Sequence, residues 1–148
     1  MEKEFCRVRS ASDIAISVTL IILGTVLFLL PYGIGIKIGG FFLFLLGSLF
    51  LWLFKSVYKE TGEKNIYHKR ELYFRRELLN PILKGVVSDP HSIDTTAEGL
   101  GWTIKLNVYY CKSADKGYIQ LFEYVPYNYE PCTEMLEYRI NQIDNLIK

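Results

Sequence analysis

The chain has 148 residues, half of them apolar, and a formal net charge of +1. That length allows one domain, or one domain with an anchor, and near-neutral charge argues against nucleic-acid binding. The three cysteines, Cys6, Cys111 and Cys132, lack the spacing of a disulfide framework and read as reduced thiols.

In chain order, residues 1–12 form a short polar segment with Lys3, Arg7 and Arg9. The following block, 13–54, carries one charge between Ile14 and Phe54, at Lys37. As a single helix it would be about 60 Å long, twice the roughly 30 Å core of a bilayer. Two spans are therefore expected, one at 13–30 and one at 36–54. The turn falls in LPYGIGIKIGG, where Pro31 lacks an N–H and Gly33 and Gly35 permit a reversal. A phosphate-binding loop is excluded there. The glycines follow neither G-x-x-x-x-G-K-[ST] nor G-x-G-x-x-G, no Ser or Thr follows Lys37, and the flanks are apolar helices. Gly35 and Gly39 have the spacing of a helix-contact motif but read as turn residues, whereas the deeper Gly24 and Gly47 read as the sites of close helix packing. A cleaved signal peptide fits poorly, because the apolar run is long and a second one follows at once.

Basic residues flank the block on both outer sides, so both termini are expected on the cytoplasmic side of an inner membrane, with the short turn opposite. Tyr32, Trp52 and Tyr58 suit the aromatic belts at the interfaces. Residues 55–64 read as a basic juxtamembrane linker and 65–148 as a cytoplasmic α+β domain. Charge is uneven here. Residues 55–84 hold eight basic and four acidic residues, and 85–148 hold five basic and nine acidic. Lys69, Arg70, Arg75 and Arg76 are thus candidate contacts to lipid headgroups.

Within this part, NIYHKRELYFRRELL at 65–79 reads as a helix, with Phe74, Leu78 and Ile82 as its stripe and Pro81 as its end. ILKGVVS at 82–88 reads as a short strand, and 88–101 as loop. WTIKLNVYY alternates, with Trp102, Ile104, Leu106, Val108 and Tyr110 on one face, which predicts a half-buried strand. SADKG is a turn and YIQLFEYV the returning strand. Leu136, Ile140, Ile143 and Ile147 recur at helical spacing, which predicts a C-terminal amphipathic helix whose Ile143 closes over the hairpin through Ile104, Leu106 and Leu121. The expected fold is a two-span transmembrane α-helical hairpin followed by a small α+β domain of helix, antiparallel strands and C-terminal helix.

No residues assemble a catalytic constellation. Cys111 and His91 are the only thiol–imidazole pairing conceivable. His68, His91, Cys111 and Cys132 lack a close ligand pair for a metal, and the acids of 89–98 lack EF-hand spacing. No cofactor or enzymatic activity is expected. FEYVPYNYEP at 122–131 is the candidate binding segment: Phe122, Tyr124, Tyr127 and Tyr129, with Tyr118 nearby, offer large amphipathic contact area. The composition points to membrane lipid and a protein partner or a second copy as partners. Its expected role is a membrane-anchored binding or regulatory module, of accessory, immunity or exclusion type. The rival expectation is an oligomerising two-helix effector that perturbs the bilayer when its domain senses a ligand.

Overall fold

A computed structural model describes residues 4–148. They form two compact units: Arg7–Val57, and Tyr58–Lys148 together with the residues before Arg7.

The first unit is a helical hairpin of α1 (Ala11–Leu29) and α2 (Ile34–Leu53). Ser10 caps α1: the Asp13 N–H donates to its Oγ at 3.0 Å, and its own N–H donates to Asp13 Oδ2 at 2.9 Å. The same carboxylate oxygen accepts from the N–H and the hydroxyl of Ser56, at 3.1 and 2.7 Å, so one acid caps one helix and ties the chain leaving the other. α1 stops before Pro31, whose ring disfavours helical backbone at Leu30. Gly33 caps α2, which starts earlier than expected. Gly35 and Gly39 therefore lie inside α2 and not in the turn, and a Cβ on either would meet nothing within 4 Å.

The helices meet along Ser17 and Gly24 of α1 and Gly40 and Gly47 of α2, their only buried residues. Each pair is seven residues apart, two helical turns, so it stays on one face. A Cβ on Gly40 would lie 2.6 Å from the Phe28 nitrogen, one on Gly47 would lie 2.9 Å from that of Ile21, and one on Gly24 would overlap the Phe44 backbone. The backbones thus touch where side chains are missing, the contact that small residues allow between apolar helices. Gly24 and Gly47 sit in this seam with Gly40, which the sequence reading did not single out. Leu20 and Ile21 flank the seam at Gly47, while most other large apolar side chains, Ile22, Phe28, Phe42 and Leu49 among them, are exposed. Both helices are long and apolar enough to cross a membrane.

The second unit is a seven-stranded sheet: β1 (Phe5–Val8), β2 (Val57–Glu60), β3 (Ile66–Phe74), β4 (Ile104–Cys111), β5 (Lys116–Val125), β6 (Asn128–Pro131) and β7 (Leu136–Tyr138). The order is β1-β2-β3-β4-β5-β6, and β7 pairs with the first half of β5 while β6 pairs with the second. Antiparallel registers run without a break from His68–Tyr110 to Phe74–Ile104 and from Ile104–Glu123 to Cys111–Lys116. One sheet face carries Leu72, Phe74, Ile104, Leu106, Val108, Ile119 and Leu121, all fully buried. It is covered by Ile82 and Val86 of the single helix α3 (Leu79–Ser88), by Ile93, and by Ile143 and Leu146. Gly85 lets α3 approach this layer, since a Cβ there would meet Ile93 Cγ1 at 2.6 Å.

Three sequence assignments are corrected. Residues 65–79 are not a helix: they supply β3, because Tyr67, Leu72 and Phe74 are all fully buried in a strand paired with β4 and helix propensity is too small to oppose that. Residues 82–88 are not a strand but most of α3. Pro81 lies in its first turn, where the missing N–H has no helical partner in any case, so it starts the helix and does not end it. There is no C-terminal amphipathic helix either. β7 is followed by two 3-10 turns, at Ile140–Gln142 and Asp144–Leu146. The burial expected of Ile143 is nonetheless found, in the cluster with Ile104, Leu106 and Leu121, and the chain reaches it through turns. Trp102 falls before the paired residues and is 71% exposed instead of buried with Ile104.

Ile143 also seats on the bare backbone of Gly117. Truncating it leaves a cavity above β5. Ile143→Ala is expected to lower stability by about 2–5 kcal/mol, read by denaturant titration of the detergent-solubilised chain; an unchanged midpoint would place Ile143 outside the core.

Candidate binding surface

Alternation in β3, β4 and β5 makes a second sheet face unlike the first. In register, it presents Lys69, Tyr109 and Tyr118, then Glu71, Asn107 and Gln120, then Tyr73, Lys105 and Phe122. β6 adds Pro131 opposite Phe122 and Tyr129 opposite Tyr124. The face is thus sealed at one end, polar in the middle and open at the other end.

At the sealed end, the Phe5 ring stacks on Tyr109 at 4.4 Å and meets Tyr67 edge-on at 5.2 Å. Tyr118 belongs to this cluster and is fully buried, so its assignment to a partner-binding surface is corrected: odd–even position along β5 turns it to this face, and Phe5 and Met135 close over the cluster. The Tyr67 hydroxyl donates to Glu63 Oε2 at 3.1 Å, which also accepts from Asn65 Nδ2 at 2.8 Å; Lys116 Nζ pairs with the other oxygen at 3.2 Å. Asn65, then Lys116 and Tyr67, hold the Glu63 carboxyl below the usual range, and burial pushes the Tyr67 phenol up.

The middle row is polar. Lys69 pairs with Glu71 and lies 5.7 and 5.4 Å from the centroids of the Tyr58 and Tyr109 rings. Burial works against the Lys69 charge, but the Glu71 carboxylate outweighs it and raises the pKa. Glu71 also accepts from the Tyr73 hydroxyl at 2.7 Å, which pushes that phenol up to about 12. Asn107 is 5% exposed, and its Oδ1 accepts no hydrogen bond among the described residues.

At the open end, Lys105 Nζ lies 4.4 Å from the Tyr129 ring centroid and 5.1 Å from that of Phe122. Tyr124 meets Tyr129 edge-on at 5.2 Å, Trp102 lies 5.2 Å from Tyr73, and the Tyr129 hydroxyl donates to the Trp102 carbonyl at 2.5 Å. Phe122, Tyr124 and Tyr129 therefore share one surface, and Tyr127 stands at its edge. Pairing, and not proximity in sequence, adds Tyr73, Lys105 and Trp102. The alternation of residues 102–110 hinted at Lys105, but β3 had been read as a helix.

Tyr127 is the strained member. Pro126 and Tyr127 form the two-residue turn between β5 and β6, and Tyr127 has φ 76°, with its side chain 97% exposed. That backbone region favours glycine, and a side chain there costs about 1–2 kcal/mol.

The basic quartet is divided. Lys69 lies on the second face. Arg70 lies on the first, paired with Glu98 at 2.9 Å and donating to the Lys148 carbonyl. Adjacent strand residues point to opposite faces, so these two side chains leave the sheet on different sides. Arg75 and Arg76 follow β3. Arg75 Nε donates to the Leu100 carbonyl at 2.9 Å, and Arg76 meets Glu123 at 3.3 Å with 77% of its side chain exposed. Cys111 is buried on the second face beside Ser113, whereas His91 lies in the loop held by Asn145 near the first core, so they form no pair. Among the described residues no cluster of three metal-ligating side chains occurs. No protein-family model matches the chain, and no curated protein or solved structure matches it.

Replacing the strained tyrosine tests what the turn is for. Tyr127→Gly should relieve the left-handed backbone and raise stability by a net of about 0.5–1 kcal/mol after glycine's entropy is counted. Thermal unfolding checks this, and a loss of stability would mean that the tyrosine ring is a folding contact.

Proposed function

We propose that the chain is a membrane-anchored binding or regulatory module, with both termini in the cytoplasm, that acts through a protein partner or by self-association. The observation that carries this reading is the hairpin. Its two helices use four small residues to meet each other and leave their large apolar side chains exposed. In water that surface would be severely unfavourable; in a bilayer it is the required lining. The distribution of basic residues on either side of the hairpin supports the inward orientation of both ends. The contact to a partner is assigned to Phe122, Tyr124 and Tyr129, next to the outer strand β6, whose free edge offers main-chain groups to a second strand. The role is that of an accessory, immunity or exclusion protein, and it includes no catalysis.

Gly35 can take a side chain without a clash, which makes it a clean reporter. Gly35→Cys is expected to react with a membrane-impermeant maleimide in intact cells while Cys132 is protected; the opposite pattern would invert the topology. For the surface, chemical cross-linking in membranes should yield one discrete adduct, self or hetero. Tyr124→Ser, at an exposed ring, should abolish it and leave the unfolding midpoint within about 0.5 kcal/mol of the parent. Persistence of the adduct would move the contact elsewhere.

A further inference from the structure

The rim at the open end of the sheet carries a feature beyond the partner contact assigned to Phe122, Tyr124 and Tyr129. Residues 99–102 form a short loop before β4 whose backbone is held at each step. The Gly99 N–H donates to the Tyr73 carbonyl at 2.9 Å, with Gly99 itself at φ 77°. Arg75 holds the Leu100 carbonyl and Tyr129 holds that of Trp102. Gly101 lies flat on Arg75, where a Cβ would meet Arg75 Cα at 2.7 Å. A loop fixed this firmly nevertheless points Leu100 and Trp102 outward, 58% and 71% exposed. Tyr127, on the neighbouring turn, is presented the same way at the expense of backbone strain. These exposures are built by the fold.

We infer that Leu100, Trp102 and Tyr127, with Arg75 and Arg76, form an interfacial anchor that seats the sheet rim in the phospholipid headgroup layer. The inference rests on the membrane-anchored reading of the helices. Two observations select lipid as the occupant. First, the chemistry matches: Trp and Tyr place an apolar ring and a polar edge at the headgroup level, Leu enters the acyl boundary, and Arg binds phosphate through a planar fork. Arg75 has no carboxylate partner among the described residues, and Arg76 shares Glu123 but stays largely exposed. Second, only residues 54–57 separate α2 from this unit, so a bilayer holding the helices is present at high effective concentration. A weak surface suffices under that condition.

The two tryptophans allow a test in the full chain reconstituted in nanodiscs with lipids brominated high on the acyl chain. Trp52→Phe leaves Trp102 as reporter, and Trp102→Phe leaves Trp52 of α2. Quenching of Trp52 reports the anchored helices; its absence would overturn that reading. With Trp52 quenched, Trp102 should lose roughly half its emission, as expected for a ring about 5–10 Å into the interface. Arg76→Ser in the Trp52→Phe chain, which leaves the Arg75 contacts to the loop in place, should restore a large part of that emission without shifting the unfolding midpoint. An unquenched Trp102 with solvent-like emission overturns the headgroup anchor and leaves the helix reading intact. An unquenched but blue-shifted Trp102 overturns it in favour of a protein contact.

Discussion

The exposed apolar surface of α1 and α2 is the constraint to which everything else in this chain answers. Most of their large side chains are exposed, and the helices come closest to each other through glycine and serine. That choice is physically consistent. When the surroundings are as apolar as leucine, burying leucine between helices gains nothing, whereas bringing backbones into contact gains dispersion and close packing. Gly24, Gly40 and Gly47 make such contact possible, and Asp13 secures the two ends by capping α1 and holding Ser56.

The sheet unit has a core of its own and stabilises itself. It does so with two unlike layers. On one face, aliphatic residues from β3, β4 and β5 lie under α3 and the C-terminal turns, and burial follows the usual area law. On the other, tyrosines from three strands close around Phe5, and their hydroxyls and neighbouring charges are met by Glu63, Lys116 and Glu71. The second layer covers only one end. Past the row of Glu71, Asn107 and Gln120 the face opens, and there the aromatic residues are exposed. A sheet that is dry on one side and half-covered on the other has a ready place for contacts with something else.

At that open end the fold accepts unfavourable local terms. Tyr127 occupies backbone space better suited to glycine, and Leu100 and Trp102 are held in solvent by a fixed loop. None of these improves the folded chain by itself. Their concentration in one region is the physical basis for placing the binding and interfacial surfaces there.

How much of this could be read in advance depended on the range of the interactions involved. The two apolar helices, their turn at Pro31 and two of the three packing glycines, Gly24 and Gly47, were legible because local composition carries the signal: few charges, a break where a span must end, small residues deep in each span. The β4–β5 hairpin was legible through its alternation. β3 was not, since KRELYFRREL favours a helix locally and only pairing with β4 over seven residues overrides that preference. α3 was hidden for the same reason at Pro81, which ends a helix in the interior and suits one in its first turn. The apolar spacing of Leu136 to Ile147 correctly marked Ile143 for burial, yet spacing alone did not distinguish a helix from a strand followed by 3-10 turns that reach the same core. The tyrosines of 122–129 were visible as composition, but which of them face outward was decided by sheet register, which buried Tyr118 and brought Lys105, Tyr73 and Trp102 beside the rest. The sequence by itself determined where apolar and charged segments lie, because these are properties of consecutive residues. The tertiary structure decided which strand pairs with which and which faces remain open, because those depend on contacts between residues distant in the chain.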